Sequence, residues 1–164
     1  MLAFLVVALS LQTPNCQPDY EHVRTTNSRI RRLIVEGRRR SPTFDQLIAS
    51  LDRSDVIVHI GPTFGRQRFA GYLVHHVVAT ADNRYLWIYI RTQGTEGAIG
   101  TLGHELQHAI EVARAPDVRD DGAIEKLFDQ IQCFCGVHET LEARSTERAV
   151  RKELVKSRGA DRDE

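Results

Sequence analysis

The sequence HELQH at positions 104–108 is the feature that most constrains how this chain folds. Apolar residues recur around it at helical spacing: Leu102, Leu106, Ala109, Ile110 and Ala113. This period predicts a helix from about Glu96 to Ala113. Because positions i and i+4 lie one above the other on a helix, we expect His104 and His108 to direct their imidazole rings to the same point.

Two imidazoles with a carboxylate beside the first are the donor pattern of a hydrolytic zinc site. Zinc lowers the pKa of a bound water from about 16 to roughly 7, which makes a nucleophile available near neutral pH. Glu105 follows His104 too closely to share the metal with it, so we expect Glu105 to act as general base on a zinc-activated water. The pattern predicts a metal-dependent hydrolase, and the alternative is a helix whose histidines are solvated or packed in the core.

A catalytic zinc usually has three protein ligands and one water, so two histidines leave the predicted site incomplete. The metzincin motif would place a glycine three residues after His108 and a third histidine three residues further on. This chain has Glu111 and Arg114 at those positions, which excludes the metzincin pattern. A glutamate from a later helix remains as the third ligand.

The final helix is predicted from about Val137 to Lys156, and it supplies four glutamates: Glu139, Glu142, Glu147 and Glu153. Small and apolar residues share one stripe with the first of them: Ala143, Thr146, Val150 and Leu154. Because this stripe should face inward, Glu139 is the preferred third ligand. Glu142, roughly 60° away around the helix, is the alternative.

With this glutamate-bearing helix downstream, HELQH followed by HAIE resembles a compact zincin metallopeptidase of the gluzincin type. The resemblance covers Tyr85 to about Val155, and it implies Zn²⁺ held by His104, His108 and Glu139. It also implies a peptide or protein substrate that pairs with an edge strand of the sheet. Such enzymes usually stabilise the oxyanion with a tyrosine or histidine, for which the candidates are Tyr72, Tyr85, Tyr89 and His138.

Strands are predicted at Val56–Ile60, Phe69–Ala79 and Tyr85–Arg91, the last two forming a hairpin. Helices are predicted at Asn27–Gly37, after Ser41-Pro42, and from Asp120 or Asp121 through Ile131. The fold expected from this order is α+β, with a small, mostly antiparallel three-stranded sheet packed on the HELQH helix and further helices before and after it.

A chain of 164 residues suggests a single domain, here 20–157, followed by a flexible tail at 158–164. Residues 1–15 are expected to be a signal peptide or an N-terminal anchor, because Leu2–Leu11 is apolar but too short to span a bilayer. A signal would make the protein periplasmic or secreted, and without one it would be cytoplasmic. Cys16, Cys133 and Cys135 are then either a disulfide and one thiol or three free thiols.

The charge is balanced, with 22 basic and 22 acidic residues, so nucleic acid is not an expected partner. The arginines at 29–32 and 38–40 are interpreted as solvated, and membrane contact is expected only through the N-terminal signal. The leading hypothesis is a zinc-dependent peptide-bond hydrolase. The alternative is a non-catalytic, zinc-stabilised or partner-binding domain on the same scaffold, because so short a chain leaves little room for the far wall of a peptidase cleft.

Overall fold

A computed structural model describes residues 21–63, 69–133 and 139–160. The strands are β1 (Val23–Arg24), β2 (Val56–Pro62), β3 (Gly71–Leu73), β4 (Val78–Ala79) and β5 (Arg84–Ile90). The helices are α1 (Ser28–Arg40), α2 (Pro42–Asp52), α3 (Thr95–Ala113), α4 (Asp121–Ile131) and α5 (Leu141–Ala160). The order of these elements confirms the predicted α+β class.

The sheet is mixed, and β5 lies inside it between β2 and β3. The β1–β2 and β2–β5 pairs are parallel, whereas β3 and β4 both run antiparallel to β5. The prediction of three mostly antiparallel strands is therefore wrong in the number of strands and in their direction. The reason is that the chain returns after β4 and inserts β5 next to β2, three strands earlier in the sequence.

The predicted strand Phe69–Ala79 is two short strands, because the chain leaves the ladder between Leu73 and Val78. Asp121, the first residue of α4, stabilises the segment between the two strands. Its carboxylate accepts a hydrogen bond from the Val77 amide at 3.0 Å and lies 2.9 Å from His76 Nδ1. The end of one helix therefore fixes the place where the strand is interrupted.

Alternate residues of β5 face opposite sides of the sheet, as expected for a strand with one covered face. Arg84, Leu86, Ile88 and Ile90 are buried, whereas Tyr85, Trp87 and Tyr89 are half-buried. Helix α3 packs on the sheet and also contacts α1, α2 and α5. It is consequently the central helix of the domain, and every residue from 98 to 112 is buried.

Helices α1, α2 and α4 begin where the sequence indicates. The side chains of Asn27, Ser41 and Asp120 accept hydrogen bonds from the first turns of α1, α2 and α4. The predicted end of α1 at Gly37 is wrong, since the helix continues to Arg40. Gly37 serves packing instead, because a Cβ there would lie 2.9 Å from the Phe44 ring.

The arginines that end α1 are only partly solvated. The side chain of Arg40 is 11% exposed, and its guanidinium donates to Glu96 at 2.9 Å and to Ser157 at 2.9 Å. It therefore joins α1 to α3 and α5. For this residue, the interpretation of the arginine runs as a solvated surface is wrong.

Helix α5 begins at Leu141, four residues later than predicted, and continues through Ala160 into the stretch expected to be a tail. The predicted signal segment, Cys16, Cys135 and His138 lie outside the described residues. Cys133 is disulfide-bonded. Among the helices that the structure describes, none combines the length and the apolar character needed to cross a membrane.

Candidate functional site

Helix α3 brings His104, Glu105 and His108 into one buried cluster, as the spacing of the motif predicts. The two histidine rings meet edge to face, with their centroids 4.8 Å apart. Their Nε2 atoms face each other at 3.1 Å. Two nitrogens that can each offer a lone pair therefore converge on the same point in the interior.

Glu139 reaches the same point from the other side. Its Oε1 atom lies 3.6 Å from His104 Nε2. The predicted place of Glu139 on the inward stripe of the last helix is nevertheless wrong, because this residue precedes α5. Its position depends on the backbone before the helix, where its carbonyl oxygen accepts a hydrogen bond from the Cys133 amide at 2.6 Å.

The four downstream glutamates have different surroundings. Glu142, the alternative ligand, lies 2.6 Å from Arg114 Nη1 and accepts a hydrogen bond from Gln107 at 2.9 Å. Glu153 accepts hydrogen bonds from Ser41 and Thr43 at the start of α2. Glu139 and Glu147 are the two that contact His104.

Each histidine has a carboxylate at its other ring nitrogen. Glu111 Oε2 lies 2.8 Å from His108 Nδ1. His104 Nδ1 is buried and makes no hydrogen bond to a described residue, but Glu147 Oε2 lies 3.4 Å away, at ion-pair distance. With a carboxylate beside each Nδ1 atom, a proton on that nitrogen leaves Nε2 free to act as a donor to a metal.

Glu111 lies seven residues after His104, a spacing that returns it to nearly the same helical face and predicts an orienting role, whereas the sequence predicted no role for Glu147. Glu147 lies eight residues after Glu139, and on a continuous helix that spacing would turn it about 80° away. Since α5 begins only at Leu141, this arithmetic does not apply. The signal that would have found Glu147 is its spacing, four residues after Ala143 and three before Val150, which are both buried on the inward face of α5.

The close packing of these groups shifts the pKa of His104, Glu105 and Glu147. Burial would lower the pKa of His104, but the surrounding carboxylates, Glu147 foremost, outweigh burial and raise the pKa. The contact with His104, assisted by Arg151, lowers the pKa of Glu147 to about 2. Burial raises the pKa of Glu105 above that of an ordinary carboxyl group, although both neighbouring histidines favour its charged form.

Glu105 faces a cleft of about 300 Å³ under strand β3. The cleft is lined by Phe69, Gly71, Tyr72, Leu73, His104, Glu105, His108 and Glu139. The backbone of Leu73 lies close enough to the Glu105 carboxylate to favour its charged form and so lower its pKa. Gly71 lets the strand approach α3 closely, because a Cβ at this position would lie only 2.7 Å from Thr101 Cγ2.

The tyrosines considered for oxyanion stabilisation divide between the cleft and the opposite face of the sheet. Tyr72 borders the cleft, and its ring lies 5.6 Å from that of Tyr89, which alternates with the core-facing residues of β5. Tyr85 stacks with His59, on the side of the sheet that α3 does not cover. His75 stacks on Phe128 at 4.8 Å, and His76 contacts Asp121, so this histidine pair serves packing and loop anchoring.

Across residues 21–63, 69–133 and 139–160, no group of three or more His, Cys, Asp or Glu side chains is arranged so that it could hold a metal ion. The structure places two histidine nitrogens together and brings one glutamate oxygen near one of them. The zinc set of His104, His108 and Glu139 therefore stays a prediction.

Comparison with known proteins adds no relative. No family model, no curated protein and no solved structure matches the chain. The interpretation of the site consequently rests on the chemistry and positions of its own residues.

Proposed function

We propose that this protein is a zinc-dependent peptide-bond hydrolase in which His104, His108 and Glu139 hold Zn²⁺. The observation that carries the proposal is the 3.1 Å separation of the two histidine Nε2 atoms, with Glu139 Oε1 3.6 Å from His104 Nε2. Donors bound tetrahedrally at zinc distances lie about 3.3 Å apart. The donor types are those that zinc prefers, and the two separations are close to this value.

The chemistry of the two opposed Nε2 atoms also suits a bound cation. With Nδ1 protonated beside Glu111, His108 presents a lone pair at Nε2, and the same holds for His104 beside Glu147. Two lone pairs 3.1 Å apart repel each other unless a proton or a cation lies between them. When bound, zinc supplies Lewis acidity, polarising a carbonyl group and lowering the pKa of a water molecule.

Glu105 is the proposed general base. Its carboxylate lies in the same cleft as both histidine rings, under strand β3. In the proposed reaction, this carboxylate takes a proton from the attacking water and then delivers it to the leaving amine nitrogen. The side chain is only 6% exposed, so few competing waters reach it.

Strand β3 supports a peptide as the substrate. Ala70 and Val74 direct backbone groups to β5, as the Arg91 N–Ala70 O and Val74 N–Trp87 O hydrogen bonds show. Backbone N–H and C=O groups point to alternate sides along an antiparallel strand. Those of Gly71 and Leu73 therefore point away from β5. An extended peptide beside Gly71 would extend the sheet over the Glu105 carboxylate.

The test compares the purified full chain with Glu105→Gln on a peptide library, with zinc content measured in both. We expect the variant to retain zinc and to lose about two to four orders of magnitude in the rate of cleavage. Glu125→Gln is the matched control, because Glu125 is exposed on α4 and outside the cleft. Equal cleavage by wild-type and zinc-loaded Glu105→Gln protein would contradict the proposal.

The small size of the cleft favours one alternative, a zinc-stabilised domain without catalysis. His104, Glu105 and His108 are each 6–7% exposed, so they offer little surface to a large substrate. This alternative predicts a large fall in melting temperature on chelation, together with no cleavage of any peptide. The hydrolase predicts cleavage that stops on chelation and returns with added zinc.

A further inference from the structure

A buried chain of side chains connects His108 to the segment that carries Glu139. Glu111, one turn after His108 on α3, is only 7% exposed and uses both of its carboxylate oxygens. Oε2 lies 2.8 Å from His108 Nδ1, and Oε1 accepts a hydrogen bond from the Thr140 hydroxyl at 2.6 Å. Thr140 directly follows Glu139 in the sequence.

The Thr140 hydroxyl makes two hydrogen bonds. It donates to Glu111 on α3, and it accepts a hydrogen bond from the Ala143 amide at 3.0 Å in the first turn of α5. The side chain is 3% exposed, so both bonds are protected from water. Thr140 therefore ties the beginning of α5 to the helix that carries the two histidines.

Burial of a carboxylate is costly unless its oxygens are paired, and one apolar side chain would pack here at lower cost. The paired arrangement has a consequence that an apolar residue would not have. A carboxylate at this distance favours the tautomer with the proton on His108 Nδ1, which would leave the lone pair on Nε2, the atom that faces His104. Through Thr140, the same carboxylate also restrains the residue next to Glu139.

We propose that Glu111 and Thr140 are positioning residues that hold His108 and Glu139 in one arrangement, so that two ligands from distant parts of the chain reach the metal together. This inference rests on the proposed zinc site. It adds that the third ligand is placed by a side-chain bridge from α3, because Glu139 precedes α5 and gains no restraint from that helix.

Glu147 makes a contrasting contact. It lies beside His104 Nδ1 and binds Arg151 at 2.7 Å on its own helix. The bridge from Glu111 differs because it joins one metal ligand to the segment that carries another. Loss of the bridge should therefore act on zinc binding mainly through Glu139.

The experiment is a double-mutant cycle on the full chain, read as zinc affinity by competition with a chromophoric chelator. Thr140→Val should weaken zinc binding about tenfold, and Thr140→Ser, which keeps the hydroxyl, should restore it. In a Glu139→Ala background, Thr140→Val should cause no further loss, because the ligand that it positions is already absent.

Thr146→Val is the matched control for the loss of a hydroxyl on this face of α5. Thr146 also bonds to α3, through Gln107 at 3.2 Å, whereas the hydrogen bonds of the Glu111 carboxylate go to His108 and Thr140. The zinc affinity of the Thr146→Val protein should equal that of the wild type. The cap at Ala143 is lost in both backgrounds of the cycle, so an effect of the cap alone would appear equally in each.

A second readout needs no metal. In the zinc-free protein, ¹⁵N chemical shifts of the histidine rings should place the proton of His108 on Nδ1, and Glu111→Gln should redistribute it. Unchanged zinc affinity in Thr140→Val, or equal losses with and without Glu139, would overturn the bridge while the hydrolase proposal stands. Wild-type protein that binds no zinc would overturn both.

Discussion

Asp55 and Arg84 form a two-point ion pair at the end of the central helix. The two carboxylate oxygens of Asp55 accept hydrogen bonds from Arg84 Nε and Nη2, both at 2.7 Å. Arg84 is completely buried, and its Nη1 atom donates to the carbonyl oxygens of Val112, Ala115 and Val118. One guanidinium thus satisfies the carbonyl groups where α3 ends and the chain turns toward α4.

We predict that Asp55→Asn lowers the free energy of unfolding by about 2 kcal/mol, because it leaves a buried guanidinium without its counter-charge. This value is below that of a fully buried pair, since the Asp55 side chain is 36% exposed. Urea unfolding followed by circular dichroism measures the change. Asp82→Asn, in the exposed turn before β5, is the control and should have little effect.

The same pair predicts a dependence of stability on pH. The hydrogen bonds from Arg84 lower the pKa of Asp55 below its ordinary value. The stabilisation is therefore complete above pH of about 4, where Asp55 is ionised even in the unfolded chain, and it is lost as pH falls through the lower folded pKa. Urea unfolding at a series of pH values should show the difference between wild type and Asp55→Asn shrinking only in acid. A difference that grows below pH 4 would contradict this assignment.

The sequence predicted the parts of this fold that depend on local chemistry. Helix starts followed from capping side chains such as Asn27 and Ser41, and the facing of His104 and His108 followed from a spacing of four. These features depend on residues within one turn of each other, so the local pattern contains the information needed to predict them.

What the sequence did not predict depends on distant contacts. The parallel pairing of β5 with β2 arises because β5 inserts between strands that precede it in the chain. Arg84 occupies an inward position on β5 that periodicity assigns to an apolar residue, and it is stable there only through Asp55 and the end of α3. The approach of Glu147 to His104 likewise depends on where α5 begins.

Gly71→Ala should disturb the cleft without removing any of the proposed metal ligands. The added Cβ would lie 2.7 Å from Thr101 Cγ2 and 3.3 Å from Glu105 Cγ, so β3 must move away from α3. We expect a loss of about 1–3 kcal/mol in the free energy of unfolding. We also expect slower peptide cleavage at unchanged zinc content, because a shift of β3 changes the wall of the cleft beside the Glu105 carboxylate.

A compensating substitution tests the cause of this effect. Thr101→Ser removes the Cγ2 methyl group, which is the nearest atom to the added Cβ, so the double variant should recover part of the lost stability and activity. Gly97→Ala is the control, since its Cβ would meet only Arg151 Nη1 at 4.0 Å. A double variant that is no better than Gly71→Ala alone would show that the contact with Thr101 does not cause the defect.

Glu139 and Glu142 should differ sharply in their effect on zinc binding. Glu139 Oε1 lies 3.6 Å from His104 Nε2, whereas Glu142 is engaged by Arg114 at 2.6 Å and its side chain is 59% exposed. Glu139→Gln should therefore lower zinc affinity strongly, because an amide oxygen replaces a charged ligand, and Glu142→Gln should leave it unchanged. The two substitutions remove the same charge from residues three positions apart, so a difference between them cannot come from net charge. Zinc affinity by chelator competition is the measurement, and strong loss in Glu142→Gln with none in Glu139→Gln would assign the third ligand to α5.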